Sequence, residues 1–328
     1  MNSYFTSVKI PNMGLHIDLD SRLMFMGSCF TDSIGSRFNQ LKFPSLVNPF
    51  GVLYNPYSVA NALKQTLEGK PLVEDDLFKQ HGLYKSYFFH SRFNRSEAQE
   101  ALALMDDAIL QSHLFLQQTD VLFVTFGTAF LYQLEENGLV VANCHKQPSH
   151  LFVRKRMNVT EIAAIWNELL DELQAFNPNL KIVFTVSPIR HWKDGAHGNQ
   201  LSKSSLLLAI DEIIANNSNC FYFPSYEIVM DELRDYRFYA NDMLHLSEVA
   251  IEHIWQSVQS HLIVEKCHAL LKQIARLNQA TQHRIFNTSS EETTKFAATN
   301  LQLIAQLEQA LPQHDFNKEK NYFRNINN

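Results

Sequence analysis

Asp242 and His245 stand three residues apart in Asp242-Met243-Leu244-His245-Leu246-Ser247, at the entrance to a long helical stretch. A carboxylate at that spacing can hold an imidazole by Nδ1, which fixes the tautomer and leaves Nε2 free as a base. The same spacing also suits a helix-capping Asp before a surface His. Two glycine turns, Gly27-Ser28-Cys29 and Gly127-Thr128-Ala129, each follow an apolar run directly. Open parallel sheets bind ligands at the carboxyl ends of their strands, where such turns lie. Glycine after a strand is equally ordinary turn chemistry. Asn143-Cys144-His145 reads as a pocket wall with His145 as a second base, or as a structural loop. Arg190, His191 and Lys193 suit an anionic acyl donor or polar substrate, or a solvated loop. His90 and the helix residues His253, His261 and His268 read as surface histidines.

These groups need a scaffold. Leu23 to Met26, Val121 to Phe126, Ile182 to Val186 and Cys220 to Phe223 are continuous apolar runs, and Ser45 to Phe50 is a weaker one. Continuous rather than alternating runs indicate strands covered on both faces, hence a parallel sheet. Helical patterns separate them: from the Thr31-Asp32-Ser33 cap to Leu41, Tyr57 to Leu67, Ser96 to Leu116, Val159 to Phe176 and Lys203 to Ala215. Alternating strand and helix predicts an α/β fold with crossovers. The last quarter reads as helix from Leu246 to about Leu277. After a break near Phe286-Asn287-Thr288, helix resumes from Ser289 to Leu311, with a polar, mobile tail from Asn317.

The 328 residues include only 10 glycines but 24 phenylalanines, and the hydrophobic fraction of 45% excludes disordered and fibrous classes. Each glycine therefore calls for a local reason. The net charge of −6 leaves no basic stripe for nucleic acid. No apolar run reaches membrane-spanning length. Met1 to Asp20 lacks the pattern of a secretory signal, and the four cysteines are widely spaced. The expectation is a cytoplasmic protein with no metal or cofactor, since no zinc-type spacing occurs.

Taken together, the N-terminal strand-glycine turn and the C-terminal Asp-x-x-His resemble the SGNH (GDSL-type) hydrolase superfamily. The ordered set of blocks from about residue 6 to 255 resembles its GSCFA branch. Those blocks are Gly27-Ser28-Cys29-Phe30, Asn48 through Pro56, Phe126-Gly127-Thr128-Ala129, Asn143 through Pro148, Ser187-Pro188-Ile189-Arg190-His191 and Asp242 through Ser247.

The resemblance implies a three-layer α/β/α, flavodoxin-like fold with about five parallel strands and a C-terminal helical appendage. The division would be residues 1–262, with a helical and aromatic insertion at about 56–118, and an extension at 263–328. It implies acyl transfer by an esterase, deacylase or O-acyltransferase through a covalent acyl-enzyme. Cys29 would be the nucleophile, its thiol pKa lowered by the helix N-terminus, with Ser28 the alternative. His245 would be the base and Asp242 its orienter. Gly51, Gly127, Thr128 and Asn143, with the Cys29 backbone N–H, would supply the oxyanion site, because Ala129 stands where an Asn is expected. His145, Arg190 and His191 would contact substrate. The partner would be a small-molecule or glycan acyl ester. The C-terminal helices are read as a homo-oligomer or docking element. A catalytically silent binding protein on the same fold is the competing expectation.

Overall fold

The computed structural model describes residues 6–285 and 290–326. Along the chain run β1 (Leu23–Gly27), α1 (Cys29–Gln40), β2 (Ser45–Val47), α2 (Pro56–Glu68), the hairpin β3 (Phe78–Gln80) and β4 (Leu83–Lys85), and α3 (Ala98–Leu116). Then come β5 (Val121–Phe126), β6 (Phe130–Leu134), β7 (Val140–Val141), β8 (Phe152–Arg156), α4 (Val159–Phe176), β9 (Lys181–Val186) and α5 (Gly195–Asn216). The chain closes with β10 (Cys220–Tyr222), α6 (Ser225–Glu227), α7 (Glu248–Leu262), α8 (His268–Thr281), α9 (Glu291–Ala310) and α10 (Asn317–Asn325).

Five strands form one parallel sheet in the order β2-β1-β5-β9-β10. This is the doubly wound, flavodoxin-like order, whose switch point lies between β1 and β5. Successive residues face opposite layers, as the pleat requires. Leu23, Phe25, Val121, Phe123 and Val183 join one core, which includes residues of α1 and α7. Met24, Met26, Leu122, Val124, Phe126 and Phe184 join the other, with residues of α2 to α5. The fold is therefore the three-layer α/β/α arrangement expected.

Several local expectations change. Helix α5 begins at Gly195, eight residues before Lys203, because its polar first turns mask the apolar repeat. Helices α2 and α3 form part of a helical layer; only a few residues of 56–118 reach the site. A three-stranded antiparallel sheet, β7-β6-β8, was not foreseen and builds a wall of the site. The expected helix from Leu246 to Leu277 is interrupted at Ile263, which bridges to Ile17. The expected break at 286–288 lies outside the described residues. The polar tail forms α10, with Phe323 fully buried and Glu319 joined to Lys42 at 2.8 Å. Leu271, Ile274, Ala297, Ile304 and Phe323 enter the same core as α1, so the appendage thickens that layer. Among the described residues no helix is long and apolar enough to cross a membrane.

Gly27 shows why the scarce glycines matter. Its φ is +142°, and a Cβ would lie 2.2 Å from the Thr125 carbonyl oxygen of the neighbouring strand. Gly27→Ala should therefore destabilise the protein by about 3 kcal/mol or more, since backbone has to move. Urea unfolding checks this; an unchanged midpoint would show that the turn relaxes freely.

Candidate active site

The turn between β1 and α1 carries Ser28 as the N-cap and Cys29 as the first helical residue. The helix thus starts two residues before the Thr31 cap that the sequence suggested. Asn48 holds this turn from below. Its Oδ1 accepts the Gly27 N–H at 2.8 Å, and its Nδ2 donates to Asp32 Oδ1 at 2.6 Å. The Leu53 N–H donates to the Gly27 carbonyl at 2.8 Å. Asn55 caps α2 by accepting the Ser58 N–H at 2.8 Å, and Pro56 takes the first helical position. The Asn48–Pro56 block is largely scaffold.

At the carboxyl end of the sheet lies a cleft of about 750 Å³. Ser28, Cys29, Thr128, Asn143, His145, Arg190, His191 and His245 all line it. Gly51, Gly127 and Asp242 do not. Chain segments up to 217 residues apart in sequence, Ser28 and His245, therefore meet at one opening. Cys29 is half-buried, whereas Ser28 is almost fully buried and its Oγ has no hydrogen-bond partner among the described residues.

Asp242 and His245 sit on the turn leading into α7. Asp242 Oδ2 lies 2.5 Å from His245 Nδ1. Its Oδ1 accepts the N–H groups of Leu244 and His245, each at 2.9 Å. Met243 takes φ +59° to close this turn. The imidazole hydrogen bond and then those two amides hold the Asp242 pKa at about 2. The carboxylate is thus ionised throughout the neutral range. With Nδ1 occupied, His245 presents Nε2, which has no partner among the described residues. The side chains are 55% and 48% exposed, so water screens the pair. No hydrogen bond joins Cys29 Sγ to His245 among the described residues.

The thiol behaves contrary to expectation. Burial, and next the nearby Asp32 carboxylate, push the Cys29 pKa up; the N–H groups of Cys29 and Phe30 and the Lys203 ammonium pull the other way and lose. Desolvation and a like charge disfavour the thiolate more than the helix N-terminus favours it. Cys29 rests as a neutral thiol and requires a base.

The oxyanion expectation is also revised. The Gly127 and Thr128 N–H groups both donate to the Tyr54 carbonyl, at 2.7 and 3.0 Å. The Gly51 N–H donates to the Asn48 carbonyl at 2.8 Å. None of the three is available to substrate. Gly51 and Gly127 serve close packing instead: a Cβ at Gly51 would lie 2.1 Å from His90 Cβ, and one at Gly127 3.2 Å from His191 Nε2. Among the described residues the Cys29 and Phe30 amides have no backbone acceptor at the N-terminus of α1. Asn143 Oδ1 accepts the His145 N–H at 2.8 Å, the local turn bond that Asx residues favour. Its Nδ2 makes no hydrogen bond among the described residues.

His145 and His191 are held neutral. His145 places Nε2 2.7 Å from the Ser86 carbonyl, and burial lowers its pKa. His191 is brought to about 4 by burial and then by Lys203, with Asp194 opposing. It packs edge-on to Tyr54, with ring centroids 5.6 Å apart, and its backbone N–H donates to Asn199 Oδ1 at 2.9 Å. The loop reading for His191 therefore gives way to a half-buried cleft residue. His90, read as a surface residue, lines the cleft edge.

Lys203 is a functional residue that the sequence pattern places only at a helix start. It is 0% exposed, and its Nζ donates to the carbonyls of Gly127 at 2.6 Å and Ser187 at 2.5 Å. Those residues follow β5 and β9, so Lys203 ties the two strand ends under the cleft. Burial, followed by Arg190, lowers its pKa to about 7. The signal was present: Lys203 shares a helix face with Leu206, Ile210 and Ile213.

Fold and site together define a doubly wound α/β protein with its strand-end cleft at the first strand–helix turn. The chain belongs to the GSCFA family, whose model matches residues 22–258; that of the GSCFA domain protein, C-terminal domain, matches residues 274–328. No curated protein matches the sequence. Among solved structures, an acetyl xylan esterase from the rumen bacterium Butyrivibrio proteoclasticus is similar at 12% identity and a TM-score of 0.38. The match covers 75% of this chain and 65% of that one, so the chain spans less than two thirds of its length. A likeness of that size says nothing about activity.

Proposed function

We propose that the protein is an acyl-transfer enzyme, an esterase, deacylase or O-acyltransferase acting on a small-molecule or glycan acyl ester. The observation that carries this reading is one cleft at the carboxyl end of the sheet holding a thiol, Cys29, and an imidazole, His245, with Asp242 2.5 Å from its Nδ1. His245 Nε2 takes the thiol proton as Sγ bonds to the acyl carbon. The ester C–O bond then breaks, and the leaving alcohol receives that proton. Water or an acceptor alcohol attacks the thioester, its proton passes to His245, and the thiol is restored. The amides of Cys29 and Phe30, with Asn143 Nδ2, are the donors suited to the oxyanion. The raised thiol pKa makes the base indispensable at neutral pH.

Intact-mass measurement after exposure to activated acetyl esters tests this reading. The expected result is a gain of one acetyl group that neutral hydroxylamine removes, as a thioester requires. Native protein that gains no acyl mass from any activated ester overturns it.

Asp242→Asn probes the orienter. An Asn keeps the Oδ1 contacts to the Leu244 and His245 amides, but its Nδ2 donates toward His245 Nδ1. The ring then carries its proton on Nε2 and cannot act as base. The expected loss in kcat/KM is about 100-fold, smaller than for a buried triad carboxylate because this pair is wet. Steady-state kinetics decide; a change under threefold would remove Asp242 from the mechanism.

The silent-binding alternative draws on one specific observation: the neutral thiol has no hydrogen bond to His245. It predicts ligand binding in the cleft with no covalent adduct.

A further inference from the structure

We infer that the cleft takes a substrate bearing an anionic group, a carboxylate or phosphate, close to its ester bond. This deepens the acyl-transfer reading and rests on it. The chain carries a net charge of −6. Its cleft is nevertheless lined by Lys85, Lys146, Arg154, Arg190 and Lys193 against a single carboxylate, Asp194. Asp194 is already taken, in an ion pair with Arg154. Lys85 Nζ donates to Gln80 Oε1 at 2.9 Å and Lys193 Nζ to the Tyr132 hydroxyl at 2.8 Å, both neutral acceptors. Lys146 and Arg190 form no ion pair among the described residues. Four cations thus line one cavity, and none of them forms an ion pair among the described residues.

An acidic protein gains nothing in stability from gathering like charges, since their mutual repulsion is unfavourable. In a recess with low-dielectric walls, the same arrangement focuses a positive field on whatever enters. A neutral acyl ester would leave that field unused. Arg190 is the best-placed receptor. Its Nε is buried without a hydrogen-bond partner among the described residues, and the side chain lines both this cleft and an adjoining groove of about 540 Å³ that also contains Asp235 and Asp242. Its planar fork matches the two oxygens of a carboxylate or phosphate. Lys193 and Lys146, both exposed, would attract the anion from solution.

The test uses matched ester pairs. 4-Nitrophenyl acetate is compared with the 4-nitrophenyl monoester of succinic acid, and a neutral acetylated diol with its phosphate monoester. The anionic member of at least one pair should be favoured roughly 10- to 100-fold in kcat/KM, the size of one charge-assisted hydrogen bond. The two pairs separate carboxylate from phosphate. Raising NaCl from 50 to 500 mM should shrink the preference, and Arg190→Gln should bring the ratio toward one. Equal turnover within both pairs, or a ratio unchanged by Arg190→Gln and by salt, overturns the inference. If Arg190→Gln fails to fold, Lys193→Gln and the salt series on wild type carry the same decision.

A second arm uses calorimetric titration of Cys29→Ala with succinate, inorganic phosphate and neutral succinamide. Anion binding without ester turnover by wild type would sink the acyl-transfer reading and leave the anion site standing. Ester turnover with no anion preference and no anion binding would do the reverse.

Discussion

Cys29→Ala is expected to lower kcat/KM toward activated esters by about 10⁴-fold or more and to erase the covalent acyl mass. Ser28→Ala should leave that mass in place. The two residues are adjacent but differ physically. Ser28 is 1% exposed, its Oγ reaches no base among the described residues, and it stands outside the helix as N-cap. Cys29 is half-buried, lies on the first turn of α1, and is near enough to Lys203 for each to perturb the other's pKa. A thiol is also the better nucleophile once deprotonated. The truncations should affect folding little. Cys29→Ala deletes one half-buried sulfur, and Ser28→Ala removes a buried hydroxyl that makes no hydrogen bond among the described residues, a change close to neutral. Circular dichroism and unfolding curves on both variants therefore separate lost chemistry from lost structure. If the adduct survives Cys29→Ala and vanishes in Ser28→Ala, the nucleophile is the serine.

The same pair of residues shows what the sequence discloses. β1, β5 and β9 were legible because both faces of each are covered, which turns Leu23–Met26 and Val121–Phe126 into unbroken apolar runs. β6 and β8 were not, because their residues are mostly half-buried or exposed and their partners lie up to 26 residues away. The site's outline was legible from glycine. Gly27, Gly51 and Gly127 each sit where a Cβ would strike a neighbour within 3.2 Å, and the cleft is built around the turns they allow. The expected use of Gly51 and Gly127 as oxyanion donors failed for a reason no pattern displays. Which carbonyl an amide meets is set by how Tyr54 and Asn48 fold back across the sheet. The thiol pKa misled similarly. In the sequence Asp32 belongs to a helix-cap pattern, whereas in space it is a negative charge next to Cys29.

Lys203→Met, just beneath the cleft, should be destabilising, and its effect should grow with pH. Methionine matches the length of the side chain and suits the apolar face of α5, so packing is nearly kept. Lost are the bonds to the Gly127 and Ser187 carbonyls, at 2.6 and 2.5 Å. Each buried carbonyl left unsatisfied costs about 1–3 kcal/mol. The opposing gain is relief from burying an ammonium, and that gain depends on pH. The folded pKa, about 7, lies below the ordinary value of 10.5. Between these values the unfolded chain binds more protons than the folded one, so wild-type stability rises with pH across that window. The slope cannot exceed about 1.4 kcal/mol per pH unit for one group. A neutral amine still has two N–H groups, enough for both carbonyls, so the strand clamp persists after deprotonation. The variant lacks this rise. The stability gap should therefore be smallest near pH 6, where the ammonium is charged and costly, and widen by about 1–2 kcal/mol by pH 9. The raised Cys29 pKa acts in the opposite direction, since a thiol held neutral in the fold loses stability once the unfolded thiol ionises; both proteins retain Cys29, so most of that contribution cancels in the difference. Urea unfolding of both proteins from pH 6 to 9 measures the gap. A gap that narrows with rising pH would mean that the ammonium, and not the neutral amine, ties β5 to β9 beneath the cleft.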